Sequence, residues 1–266
     1  MKIIVALCLV AFVACESVPT FVHPNAELIA QAKNMMTQKS SRIVYGDDAQ
    51  ISDFKWQASL RRSGSHICGA AIVSDKHAIT AAHCVDGTSA SSLSLRVGSS
   101  YHKNGGTIVG VQTIRVHERY NGNAPGYPND IAILVVAGSL TSNVNAEAVD
   151  LPQNPNENYN GADCEITGWG RTELGGLPDI LQVANTNVLS QSECTNYWGS
   201  NINTGHVCVR TGNNGACQGD SGGPLTCSGV LVGVTSWGYS DCRVSHPSVY
   251  TRITTFLDWI NDNMSR

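Results

Sequence analysis

Gly219-Asp220-Ser221-Gly222-Gly223-Pro224 is the stretch on which the reading of this chain turns. A serine flanked by glycines can sit on a turn too tight for bulkier neighbours, with its hydroxyl lifted clear of the backbone. The same turn lets the N–H groups of Gly219 and Ser221 point at one spot, where they can stabilise a developing oxyanion. Taken alone, the stretch also fits a Gly-rich surface turn. A hydroxyl near its free pKa is a poor nucleophile, so Ser221 needs a base within reach and a group to orient that base.

The base candidate is His83, in Thr80-Ala81-Ala82-His83-Cys84, where the neighbouring cysteine can clamp the backbone beneath the ring. The orienting candidate is Asp130, in Asn129-Asp130-Ile131-Ala132-Ile133-Leu134. A carboxylate heading so apolar a strand is costly to bury unless it is paired, and a histidine Nδ1–H is a suitable partner.

These three motifs, in the order His, Asp, Ser, resemble the hallmark motifs of the chymotrypsin-like (trypsin/chymotrypsin family) serine proteases. The resemblance extends from Ile43 to about Asn263. It implies an all-β fold: two packed six-stranded antiparallel β-barrels with a C-terminal helix and the active site in the cleft between the barrels. It implies His83, Asp130 and Ser221 as the catalytic triad, with the Gly219 and Ser221 N–H groups as the oxyanion hole. A non-catalytic homologue that only binds partners typically loses a triad member or the glycine before the serine. This chain keeps all of them.

The ends of the chain carry their own signals. Lys2 precedes an uncharged apolar run from Ile3 to Ala14, the pattern of a secretory signal peptide, read as residues 1–15. The run is shorter than the ~20 residues a membrane-spanning helix needs, so no membrane attachment is expected. Residues 16–42 are irregular apart from a short amphipathic pattern at Ala26 to Met36, and end in Gln38-Lys39-Ser40-Ser41-Arg42. That polar, basic end has the composition of an exposed, cleavable linker. Arg42-Ile43-Val44-Tyr45-Gly46 resembles the family's activation site, with Tyr45 where Gly or Asn is usual. The resemblance thus implies an activation propeptide over 16–42 and a protease domain over 43–266. An activating trypsin-like protease would cut after Arg42, and the freed Ile43 amine would pair with Asp220.

Eight cysteines follow the signal peptide, and an even number in a secreted chain reads as four disulfides. Eight cysteines allow 105 connectivities, so composition leaves the pairs open. The resemblance implies Cys68–Cys84, Cys164–Cys227, Cys194–Cys208 and Cys217–Cys242. No cysteine pair has the short C-x-x-C spacing of a zinc knuckle. Between Arg96 and His117 there is no Asp or Glu, so the calcium loop of many trypsins has lost its carboxylates here. No metal and no cofactor is expected.

A net charge of −4 without a Lys/Arg cluster speaks against nucleic acid as a partner. The expected partners are protein and peptide substrates and protein inhibitors of a monomeric extracellular enzyme. Short apolar runs separated by Gly, Asn, Ser and Pro read as strands at Ile67 to Val73, Leu93 to Val97, Thr107 to Val116 and Ile131 to Val136. The same pattern marks Leu181 to Leu189, Val230 to Trp237 and Ser248 to Arg252. A helical period appears only at the end, where Ile253, Phe256, Leu257, Ile260 and Met264 share a face, with a box-like cap over Thr255 to Asp258.

Substrate preference rests on the resemblance. The family's pocket floor lies six residues before the nucleophile, at Gly215, where trypsins carry an Asp. A buried Lys or Arg head group would be unpaired there. Ala216, Gln218, Ser236, Trp237, Gly238 and Ser248 complete the implied substrate-binding set, with Trp198 behind the pocket. Ser236-Trp237-Gly238 matches the segment that pairs with substrate backbone. Gly238 leaves the mouth open and the Ser248 hydroxymethyl narrows the interior. This pattern implies a chymotrypsin-like preference for Leu, Met, Phe and Tyr, with elastase-like or collagenolytic specificity as the alternatives.

Overall fold

The computed structural model describes residues 46–172, 176–210, 216–239 and 245–266, all within the compact unit spanning 40–266. The signal-peptide, propeptide and Ala26 to Met36 readings therefore lie outside the described residues.

Six strands close the first barrel: β2 (Gln57–Arg62), β3 (Ser65–Ile72), β4 (His77–Thr80), β5 (Leu93–Val97), β6 (Thr107–Val116) and β7 (Ala132–Val136). They run in the order β2-β3-β4-β7-β6-β5, and every pairing is antiparallel. The second barrel holds β8 (Asp163–Gly168), β9 (Gln182–Val188), β10 (His206–Arg210), β11 (Pro224–Cys227), β12 (Val230–Trp237) and β13 (Ser248–Arg252). A β8–β9 pairing closes it, and the two-residue β1 (Asp47–Asp48) adds to β9 as an edge. Closure satisfies the backbone without leaving long exposed edges. Each barrel interior is filled by the alternate apolar residues of its strands, Leu60, Ile72, Leu95 and Leu134 in the first, Ile166, Val209, Leu225 and Tyr250 in the second.

Two helices complete the described fold. The C-terminal α2 (Leu257–Met264) follows a 3₁₀ turn over Ile253–Phe256, and its Leu257 and Ile260 join the first barrel's core. The expected capping box does not form, because Thr255 Oγ1 donates to the Thr204 carbonyl instead. Asn263, the chain's lone glycosylation sequon, is buried with its Nδ2 donating to the Trp259 carbonyl.

The expectation of a single helical segment needs correction. α1 (Gln191–Trp198) is a second helix, started by a reciprocal capping box between Ser190 and Glu193. Its residues are polar nearly all round, so it has no apolar stripe to reveal it. Its one buried residue, Cys194, is disulfide-bonded to Cys208 on β10. Cys68–Cys84 and Cys164–Cys227 are also formed as expected. Cys217 is disulfide-bonded too, while Cys242 lies outside the described residues.

The resemblance implies a calcium loop between Arg96 and His117. There the buried Arg96 guanidinium donates to the carbonyls of Gly105 and Lys103, and Ser99 Oγ donates to the Asn104 carbonyl at 2.7 Å. An internal cation thus holds the loop's carbonyls.

Candidate active site

His83 sits in the 3₁₀ turn Ala82–Cys84 that follows β4, and the Cys68–Cys84 bond ties that turn to β3. Asp130 is almost fully buried just ahead of β7 and spends both carboxylate oxygens on the site. Oδ1 accepts from the His83 backbone N–H at 2.9 Å, and Oδ2 lies 2.7 Å from His83 Nδ1. Oδ2 also accepts from Ser236 Oγ at 2.6 Å. An acceptor-only carboxylate requires the proton on Nδ1, which leaves Nε2 with its lone pair free to take a proton. The structure brings Asp130 and His83 together, and the Ser236 contact adds a third support. Thr251 Oγ1 fixes the Asp130 carbonyl at 2.7 Å.

Ser221 projects from the loop before β11 into the same cleft as His83. Three consecutive carbonyls of this loop are turned into the protein. Gly219 O faces His66 Nε2 at 3.1 Å, Asp220 O accepts from Gly223 N at 2.8 Å, and Ser221 O accepts from Gly69 N at 2.8 Å. Among the described residues neither the Gly219 nor the Ser221 N–H has a protein acceptor. Gly219 holds φ at +103°, in the region that favours glycine. A Cβ on Gly222, also left-handed, would run into Thr80 Oγ1 and the Gly69 carbonyl. The two glycines that frame the serine are thus required by backbone shape on one side and by close approach on the other.

Asp220 is buried directly behind Ser221. Its Oδ1 accepts from Gly170 N at 2.7 Å and its Oδ2 from Cys217 N at 2.9 Å. Burial pushes its pKa up to about 6 against the pull of these two donors. No salt-bridge partner for it exists among the described residues. The walls around it are glycine, because a Cβ on Gly168 or Gly170 would strike its carboxylate.

The cleft has a volume of about 410 Å³ and is lined by Ala216, Gln218, Ser236, Trp237, Gly238 and Ser248, together with His83 and Ser221. Six of the seven expected substrate-binding residues are thereby brought to one cavity. The seventh, Gly215, lies outside the described residues, as do Arg42 and Ile43. Trp198 stacks edge-on against Trp237 at 4.9 Å, and its Nε1 donates to the Pro247 carbonyl at 3.0 Å. It thus stands behind the pocket wall and anchors the residue beside Ser248. Sequence reading had not identified Tyr127, Thr235 and Tyr239 as lining residues. Tyr127 is held at φ +46°, with its ring 6.4 Å from that of His83. The Gly126-Tyr127-Pro128 turn was its one local signal.

The comparisons with known proteins agree with this geometry. Residues 43–260 match the family model described as Trypsin. Trypsin delta of Drosophila melanogaster is 43% identical over 237 residues, covering 87% of this chain and 92% of that protein. Fibrinolytic enzyme, isozyme C, of Lumbricus rubellus is 41% identical over 240 residues, covering 83% of this chain and 99% of that protein. The solved structure of neuropsin, a serine protease of mouse brain, superposes with a TM-score of 0.75 at 32% identity, covering 82% of this chain and 98% of that one. This chain belongs to the trypsin family of serine proteases.

Proposed function

We propose that the chain is a secreted serine endopeptidase, made as a precursor and active after cleavage behind Arg42. The carrying observation is the buried Asp130 carboxylate gripping His83 at two points beside a serine whose loop carbonyls all face inward. In this reading His83 Nε2 takes the Ser221 hydroxyl proton as Oγ attacks the scissile carbonyl. The N–H groups of Gly219 and Ser221 receive the oxyanion of the tetrahedral intermediate. His83 then returns the proton to the departing amine, and water releases the acyl group by the same steps in turn. Asp130 keeps the imidazole in the useful tautomer and stabilises its charged form.

Residues 1–15 serve as signal peptide, 16–42 as propeptide and 43–266 as the protease domain. Disulfides on both barrels suit an oxidising compartment, and no helix among the described residues is long and apolar enough to cross a membrane. The Ile43 amine, freed by a trypsin-like activator, supplies the cation that the buried Asp220 lacks among the described residues.

For specificity, the described cleft lining contains no carboxylate, and Gly215 offers none at the pocket floor. That favours Leu, Met, Phe or Tyr before the scissile bond. The names of the relatives favour a second reading, a trypsin-like preference for Lys or Arg. Asp241 would be its nearby carboxylate, and it lies outside the described residues. Hydrolysis of matched peptides with Phe, Leu, Ala or Arg at this position separates them. Preference for Phe and Leu supports the apolar pocket, Arg overturns it, and Ala moves the enzyme to an elastase-like class.

A further inference from the structure

His66 lies on β3 but works on the second barrel. Its Nδ1 is 2.8 Å from Ser59 Oγ on β2, and its Nε2 is 3.1 Å from the Gly219 carbonyl oxygen. A carbonyl can only accept, so Nε2 carries the hydrogen and the Nδ1 lone pair receives the Ser59 hydroxyl proton. The neutral tautomer is thus fixed at both ends. Burial, opposed by the bond to Gly219, lowers the ring's pKa to about 4, which keeps it neutral under ordinary conditions. Trp169 and His102 pack against the ring at 5.8 and 5.3 Å and hold its plane.

The three inward carbonyls of the nucleophile loop are therefore not held alike. Those of Asp220 and Ser221 are tied by backbone N–H groups, whereas Gly219 relies on a side chain. Gly219 also lacks a Cβ and sits at φ +103°, so no side chain of its own limits its torsions. The Gly219 N–H belongs to the preceding peptide, whose Gln218 carbonyl accepts from Arg171 N at 2.7 Å, so Gly219 is the joint between two tethered peptides and the His66 bond holds its far side.

Building on the roles given above to Ser221 and Gly219, we infer that His66 is a positioning residue for the oxyanion hole. It reaches across from the first barrel and holds the Gly219 carbonyl while Arg171 N holds that of Gln218, so that the joint at Gly219 does not turn and its N–H stays aimed at the developing charge. It touches neither substrate nor Ser221. The Ser59–His66–Gly219 chain makes the second barrel's oxyanion donor depend on the first barrel.

The test compares His66→Leu, which has no donor, with His66→Gln, whose amide can donate to Gly219 O and accept from Ser59. Active enzyme is counted with a serine-directed titrant, then kcat, KM and the affinity of a peptide boronic acid are measured. Losing an oxyanion donor outright costs about 10²–10³ in kcat, and an indirect loss is expected to cost His66→Leu about tenfold or more. KM should hardly change, boronate affinity should fall in parallel with kcat, and His66→Gln should recover most of the loss. Unchanged kcat in folded His66→Leu, or a folded His66→Gln as impaired as the leucine variant, overturns the inference. If His66→Leu does not fold, Ser59→Ala with His66→Gln decides it: a kcat-selective loss in the first and retention in the second support it, and any other pattern overturns it. Ser221→Ala is the control for the parent reading, because full activity there would remove the triad itself rather than the role of His66.

Discussion

Asp130 holds His83 at the backbone and at the ring together, so one carboxylate sets both where the imidazole sits and which nitrogen carries the proton. The Ser236 hydroxyl on the same oxygen keeps that carboxylate from turning. Replacing Asp130 by Asn presents an N–H₂ to one of these donors and makes the wrong His83 tautomer available. A kcat loss of roughly 10⁴-fold is expected, a magnitude carried over from triads of this type, with KM little changed. Steady-state kinetics on a peptide amide would show it, and a loss below tenfold would argue against the assignment.

Activation is the second point open to test. Arg42→Gln precursor treated with trypsin should remain inactive, whereas the wild-type precursor gains activity and its active form begins at Ile43. Asp220→Asn should be cut normally yet stay inactive, because the new amine finds no buried charge to pair with. N-terminal sequencing beside an activity assay separates cutting from switching on. An active enzyme starting elsewhere would sink the account.

Acid stability follows from buried histidines. The pKa values of His66, His77, His102, His117 and His206 are all lowered, with desolvation as the leading cause. A base whose folded pKa lies below its unfolded one lets the unfolded chain bind protons that the native state refuses. Stability is then full above about pH 6.5 and is lost as pH falls towards 4. Asp220 works in the opposite direction, since its raised pKa of about 6 favours the folded chain at low pH. The five bases, with the lowered Asp75, Glu118 and Glu193 acting in the same direction, set the net sign against Asp220. The melting temperature of an Ser221→Ala chain, immune to self-digestion, should drop from pH 7 to pH 4, with a shallower slope in His66→Gln. A flat profile would contradict the burial argument.

Arg96 supports its loop from within. Arg96→Met leaves the Lys103 and Gly105 carbonyls without their donor and is expected to cost about 2–3 kcal/mol. The melting midpoint should fall, and added calcium should not restore it, because no carboxylate lies between Arg96 and His117. Full rescue by calcium would show that the loop retains a metal site.

Ser248→Gly removes one hydroxymethyl from the pocket interior. If Ser248 narrows the pocket, kcat/KM for Trp relative to Phe should rise about tenfold, in line with the worth of one small group in an apolar slot. An unchanged ratio would place Ser248 away from the side chain that enters.

Much of this was legible because strands rich in branched residues announce themselves. β5, β6, β12 and β13 have the bounds that alternation and turn residues suggested. β2 escaped notice because its buried positions include Gln57 and Ser59, polar residues satisfied only once Thr167 and His66 arrive from elsewhere. β4 and β10 are short, and β8 and β11 carry few consecutive apolar residues to mark them. The proposed triad residues His83, Asp130 and Ser221 each stand in a local motif. The roles of His66, Thr80 and Gly69 could not be read that way, since each acts on the nucleophile loop through a partner more than ten residues away, and spacing along the chain holds no trace of that.

Gly69 and Gly223 have a further consequence. A Cβ on Gly69 would fall on the backbone of Gly223, while Gln57 meets Thr167 across the same seam at 2.6 Å. At Gly69 and Gly223 the two barrels abut as bare main chain, so a larger side chain on either side has no room there. A hybrid that takes one barrel from a relative can therefore keep this joint only where both sides bring glycine to it.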